Sequence, residues 1–299
     1  MELRAHLYGW SEASDRLVAS HLPPERLVFK GGRHQVSADD CAFSRILKAG
    51  DAAAGFSVTV EQVFSPAELR GVTHFELVNR SVAGETEKDY AANVAVRERT
   101  PMLDAGAEGG PIRLVTGLSM SKIRLKPNMV GSVGEHTPEY VIGPAVALAF
   151  RKAGFTGFSL KPITNPKTGL AYEDYFQIFS EAVLPPANID SSVQRISSSM
   201  PEEDGQLRHL GCLSYNSSAL LDRPDFNRTA EPWCGWDGWP AWVVTARVMQ
   251  TFKDSKLRGW IFRPVLTTES DLYSDYLAHW RKLREAVEAT AKSSMSGGR

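Results

Sequence analysis

The chain has 299 residues, 42% hydrophobic and 23% charged, with 34 Lys and Arg against 35 Asp and Glu. This length makes one large domain or two, and it buries about three quarters of the unfolded surface, so folding needs neither disulfides nor metal. Near-neutral charge leaves no overall field steering the chain to nucleic acid or an anionic membrane, and no run approaches the ~20 apolar residues of a spanning helix. Three widely spaced cysteines, Cys41, Cys212 and Cys234, form no CxxC pair, which fits a reducing compartment. The opening residues Met1 to His6 lack the apolar core of a secretion signal, so the expected location is cytoplasmic.

In chain order, the first 138 residues read as a strand-rich N-terminal lobe. A weak helix falls at 39–47. Partly alternating, β-branched segments at 56–64, 72–78, 111–118 and 121–126 predict strands, with Gly- and Pro-rich loops at 100–110 and 131–138. Residues 139–290 form a second lobe, in which 279–289 predicts a terminal helix. The Lys/Ser/Gly-rich end, 291–299, predicts a flexible tail. The fold class is therefore α+β (mixed α/β).

The second lobe contains an internal duplication, 141–175 against 243–276. At an offset of 102, Val141, Val146, Phe150, Gly157 and Pro162 fall on Val243, Val248, Phe252, Gly259 and Pro264. Each copy predicts an amphipathic helix, a turn, a Gly with an unusual backbone angle or close contact, and a strand that ends at Pro. Tyr172/Tyr175 and Tyr273/Tyr276 then suit one face of a second helix in each copy.

Motifs for chemistry are sparse. The pairs Gly31-Gly32 and Gly109-Gly110 lack the companions of a phosphate loop, and no nucleophile elbow is present. Seven dispersed histidines and three cysteines assemble no local zinc site, so no cofactor and no metal are expected. His209 and Cys212 have the spacing of a nucleophile–base pair, beside the plainer reading of a buried Cys next to a hydrogen-bonded His. With Asp237 they are the first residues of an alternative reading, an enzyme acting on a small molecule or nucleotide through a dispersed site.

The unusual stretch is 231–242, EPWCGWDGWPAW, where Trp233, Trp236, Trp239 and Trp242 recur every third residue. The Gly, Asp and Pro between them predict a turn-rich loop. Tryptophan combines a large apolar body with a polar N–H, which suits the centre of a binding interface. The candidate partner-binding residues are Trp233, Trp236, Asp237 and Trp239; an aromatic plug over the core is the plain alternative.

The segments EYVIGPAVALAFRKAGFTGFSLKPI and WVVTARVMQTFKDSKLRGWIFRPV resemble the segment shared by polymorphic-toxin immunity proteins and the paralogous double-CxxCG proteins of predatory soil bacteria. The resemblance covers residues 139–285. The double-CxxCG group carries two zinc-type cysteine pairs that this chain lacks, so zinc is not carried over. The resemblance implies a cytoplasmic protein that binds and blocks a cognate toxin stoichiometrically, without catalysis of its own. It implies neither a nucleic-acid nor a membrane partner.

Overall fold

The computed structural model describes residues 1–9, 16, 20, 28–29, 34–37, 56–79, 81–84, 86–99, 102–104, 111–113, 116–133, 139–188, 211–234 and 239–296. Helices and strands are both abundant, and the architecture is mixed α+β. The chain divides into two compact units, one comprising 1–71, 189–212 and 268–299, the other 72–188 and 213–267. The first unit holds an antiparallel sheet of β1 (Glu2–Gly9), β2 (Val28–Phe29), β3 (His34–Ser37) and β4 (Phe56–Val63), in the order β2-β3-β1-β4. After β4, Ser65 and Glu68 exchange side-chain and backbone hydrogen bonds at 2.7 and 3.3 Å. This reciprocal capping starts the short 3-10 turn Glu68–Gly71.

The second unit opens with β5 (His74–Asn79), α1 (Glu87–Arg99) and the paired strands β6 (Met102–Asp104) and β7 (Pro111–Arg113). β8 (Val130–Ser132), β9 (Tyr140–Ile142), α2 (Pro144–Ala153), β10 (Ser159–Thr164) and β11 (Ala171–Phe179) follow, with sheet order β10-β11-β9-β8. Next come β12 (Ser214–Tyr215), the single turn α3 (Ser217–Leu220), β13 (Phe226–Cys234), β14 (Trp239–Thr245), α4 (Ala246–Asp254) and β15 (Trp260–Thr267). These strands join β5 in a five-stranded sheet, β12-β15-β5-β14-β13. Strand pairing therefore runs across the expected lobe boundary at 138, because β5 from the first segment is hydrogen-bonded on both sides to strands of the last.

The duplicated segments share a strand–helix–strand path, β9-α2-β10 and β14-α4-β15. α2 buries Val146 and Phe150, and α4 buries the matching Val248 and Phe252. Gly157 has φ +80° and Gly259 has φ +113°. A Cβ on Gly157 would lie 2.4 Å from the Phe226 carbonyl oxygen, and one on Gly259 would lie 1.9 Å from that of Val130. The left-handed angle and the contact with a neighbouring strand both demand glycine. Rings meet beneath the two helices: Phe150 stacks on Trp260 at 6.0 Å, Phe252 on Trp260 at 5.4 Å, and Phe226 lies 5.4 Å from Phe150.

Several expectations need correction. The copies diverge after their second strand, so Tyr172 and Tyr175 lie on β11, not on a helix. The turn closed by Asn165 N–H to Leu170 O at 2.8 Å, with Gly169 at φ +71°, folds β11 back on β10. In the second copy the Ser270 hydroxyl instead accepts the Tyr273 N–H at 3.1 Å and starts α5 (Asp271–Ser296) in the first unit. Tyr273 and Tyr276 stack on that helix at 6.3 Å. α5 continues through most of the expected tail. Neither strand ends at its proline: Pro162 sits beside a register shift on edge strand β10. Pro264 lies where β15 pairs with β5, before its pairing with β12 at Leu266. Both are positions where a missing N–H breaks no ladder bond. Residues 121–126 form no strand, whereas β6 and β8 occupy parts of the expected loops. The expected helix at 39–47 lies outside the described residues. Among the described residues no helix is long and apolar enough to cross a membrane.

The glycine contacts lead to a stability prediction. Gly259→Ala and Gly157→Ala are each expected to lose about 3 kcal/mol or more, since strain and backbone overlap add. Gly154→Ala is also left-handed, at φ +63°, but its Cβ meets nothing within 4 Å. It is expected to lose only about 1 to 2 kcal/mol. Urea unfolding of the three variants checks the order.

Candidate functional site

The tryptophan-rich stretch is a β-hairpin, which corrects the expectation of a turn-rich loop. β13 and β14 pair with Phe226 opposite Val244, Asn227 opposite Val243 and Arg228 opposite Trp242. The register then shifts, Pro232 faces Pro240, and Cys234 faces Trp239. Two opposed prolines contribute no ladder donor. Below them the Ala241 N–H donates to the Thr229 hydroxyl at 2.9 Å, so the irregularity stays hydrogen-bonded. Trp233 and Trp239 therefore sit on opposite strands near the far end of the hairpin. Trp236 and Asp237 lie outside the described residues.

The base of the hairpin is fixed by a buried cation. Trp242 is 1% exposed, so this member of the series belongs to the core. The Arg228 guanidinium lies 4.6 Å from the centroid of the Trp242 ring and 5.5 Å from that of Phe179 on β11. Desolvated cation–π contacts of this kind contribute about 2 kcal/mol. Burial pushes the Arg228 pKa down to about 10, against the pull of Glu139 and Tyr140. Its backbone clasps residues 182–184: Arg228 N–H donates to Ala182 O, and Leu184 N–H to Arg228 O, each at 2.8 Å. Edge strand β13 is thus covered near its base.

The Cys–His alternative gains no support from Cys212. This cysteine is 1% exposed, its N–H donates to the Tyr276 hydroxyl at 2.8 Å, and its Sγ lies 3.9 Å from Gln62 Oε1. A reactive thiol needs exposure and positive surroundings. His209 and Asp237 lie outside the described residues. Among the described residues no group of three His, Cys, Asp or Glu side chains is placed to hold a metal ion.

A polar cluster that sequence reading missed lies on one face of the five-stranded sheet. Glu76 on β5 faces Val243 and Arg263, and His74 faces Thr245 and Val265. Glu76 is 1% exposed; Arg263 Nη1 stands 3.5 Å from its Oε2. Burial pushes the Glu76 carboxyl up, against the pull of Arg263. Burial likewise lowers the His74 pKa, against the pull of Asp225. Asp225 is held by the Thr156 N–H at 2.9 Å and the Thr245 hydroxyl at 2.8 Å, with Arg247 at 3.5 Å. The alternation of His74, Glu76 and Val78 with Phe75 and Leu77 ordinarily marks a solvated strand face. Only the fold shows that this face is buried.

Glu76 sets a pH-dependence. With its folded pKa raised, the folded state keeps a proton that the unfolded state releases above the ordinary carboxyl range. Stability therefore falls as pH rises from about 4.5 toward the folded pKa. Glu76→Gln is expected to match the parent near pH 4 and to melt higher at pH 8. The His74 contribution, which falls toward acid, is common to both proteins and cancels in the difference. Melting curves from pH 4 to 8 check this.

Comparison with known protein families and with curated protein sequences finds no match for the chain.

Proposed function

We propose that this chain is a cytoplasmic immunity protein that binds a cognate bacterial toxin one to one and blocks it. The observation that carries this reading is the β13–β14 hairpin, an edge element of the five-stranded sheet anchored by Arg228 between two rings. β13 carries Trp233 and β14 begins at Trp239, and the sequence between them adds Trp236 and Asp237. Large rigid rings on an anchored support form an interface hot spot at low entropic cost. The edge beyond the covered base of β13 suits pairing with an extended segment of a partner. The resemblance of residues 139–285 to toxin-immunity proteins supports the same reading. The contact is with protein, not with nucleic acid or a membrane, and requires no cofactor.

The test uses the protein encoded beside this chain, since an immunity gene adjoins its toxin. Trp236→Ala and Trp239→Ala are expected to weaken binding roughly 30- to 1,000-fold with little change in melting temperature. Calorimetry should return one partner per chain. A large fall in melting temperature for both variants makes the rings core, and protection far below equimolar amounts excludes blocking.

A further inference from the structure

Five exposed cations gather on the second unit, on residues other than those of the hairpin. Lys122, Arg124 and Lys126 are exposed, while Ile123 and Leu125 between them pack on the core around Leu118 and Val141. A chain that alternates sides in this way is extended, so its successive cations stand roughly 7 Å apart. The turn closed by the Met129 N–H to Lys126 O, at 3.0 Å, brings the row to a second exposed pair, Lys256 and Arg258. Arg258 N–H donates to Asn128 O at 3.0 Å, Val130 N–H to Arg258 O at 2.8 Å, and the Asn128 amide to Lys256 O at 3.2 Å. None of the five side chains forms an ion pair among the described residues.

Two local features fix these charges. The Arg124 stem lies across Gly84: a Cβ there, at φ +102°, would meet Arg124 Cγ at 3.1 Å and Cδ at 3.2 Å. Arg124 N–H also donates to Ala83 O at 2.7 Å, so the side chain leaves from a fixed base. Lys256 has φ +52°, a left-handed angle that glycine adopts without strain. At the offset of the duplication it falls on Gly154, which has φ +63° in the same place after α2. The second copy thus carries lysine where the first carries glycine. The backbone does not explain that choice, and a strained residue of this kind points to a role for its side chain.

The geometry points to this row as a docking surface for an extended, acidic segment of a protein partner, whether or not that partner is a toxin. In an extended peptide alternate residues also repeat at roughly 7 Å, so carboxylates at every second position meet Lys122, Arg124 and Lys126 in turn. Arg124 and Arg258 offer the two-pronged donors that suit carboxylates. A nucleic acid fits less well. Tyr172 and Tyr175, whose hydroxyls donate to Met120 O at 2.9 Å and Leu125 O at 3.0 Å, are thereby held in place and not free to stack on bases. Glu173 and Asp174, exposed between those tyrosines, bound the patch, which suits a short run of carboxylates better than a continuous phosphate backbone.

Fluorescence anisotropy with a labelled peptide of alternating glutamate and threonine, titrated with the full-length protein at low salt, tests the assignment. A saturable rise is expected that fades toward about 0.15 M salt, where charges are screened beyond about 8 Å. Lys122→Gln, Arg124→Gln and Lys126→Gln together are expected to weaken binding roughly 10- to 100-fold with an unchanged melting temperature. If that triple variant does not fold, Lys126→Gln with Arg258→Gln, which leaves Arg124 on its glycine, should show a smaller loss in the same direction. Lys256→Gly separates binding from structure: it is expected to bind roughly 2- to 5-fold more weakly and to melt no lower than the parent, since a strained angle is relieved. The proposal is overturned by the absence of saturable binding, by unchanged affinity in the multiple variants, by a Lys256→Gly protein that melts lower and binds normally, or by tighter binding of an oligothymidylate of equal charge.

Discussion

Strand β5 can satisfy its backbone only by pairing on both edges with segments from residues 239–267, and this long-range pairing organises the second unit. Between β14 and β15, its residues direct alternate side chains to faces of opposite character. Phe75 meets Phe262 at 6.3 Å on one face, while Glu76 meets Arg263 on the other. A slip of one residue would exchange the faces, placing His74 and Glu76 among the rings and Phe75 and Leu77 in the polar patch. The register is thus enforced by aromatic burial on one face, with the polar row of Glu76 and Arg263 on the other.

Two strand–helix–strand units share the load of building around that sheet. Their glycines let a backbone press against a neighbouring strand: Gly259 against Val130 and Gly157 against Phe226. In the first copy β9 and β10 join the four-stranded sheet, and in the second copy β14 and β15 flank β5. Equivalent positions therefore serve two different sheets. Arg228 bridges from β13 to Phe179 of the four-stranded sheet, a contact that orients the base of the hairpin.

Legibility in the sequence was uneven for physical reasons. The amphipathic helices α2 and α4 announce themselves through Val146/Phe150 and Val248/Phe252, because a 3.6-residue period is a local property. The hairpin was missed because Gly, Pro and Asp suppress strand propensity, whereas the pairing of Pro232 with Pro240 and the Thr229–Ala241 bond arise only once the strands have met. The equivalence of Tyr172/Tyr175 with Tyr273/Tyr276 misled because an i, i+3 pair is compatible with a helix face or with a strand. The turn at Asn165–Leu170 and the Ser270 cap made the choice.

Composition, charge and the repeated pattern by themselves determined a mixed α+β chain, the helix–strand core of the two related segments and the demand for glycine at positions 157 and 259. Each of these follows from chain length or from local periodicity and backbone geometry. Tertiary structure alone decided that Trp242 and Arg228 are buried together, that Cys212 is enclosed, and that His74, Glu76 and Asn227 share one polar face. Those outcomes depend on which strands become neighbours, and strand neighbours are selected by burial summed over the whole sheet rather than by any single stretch of residues.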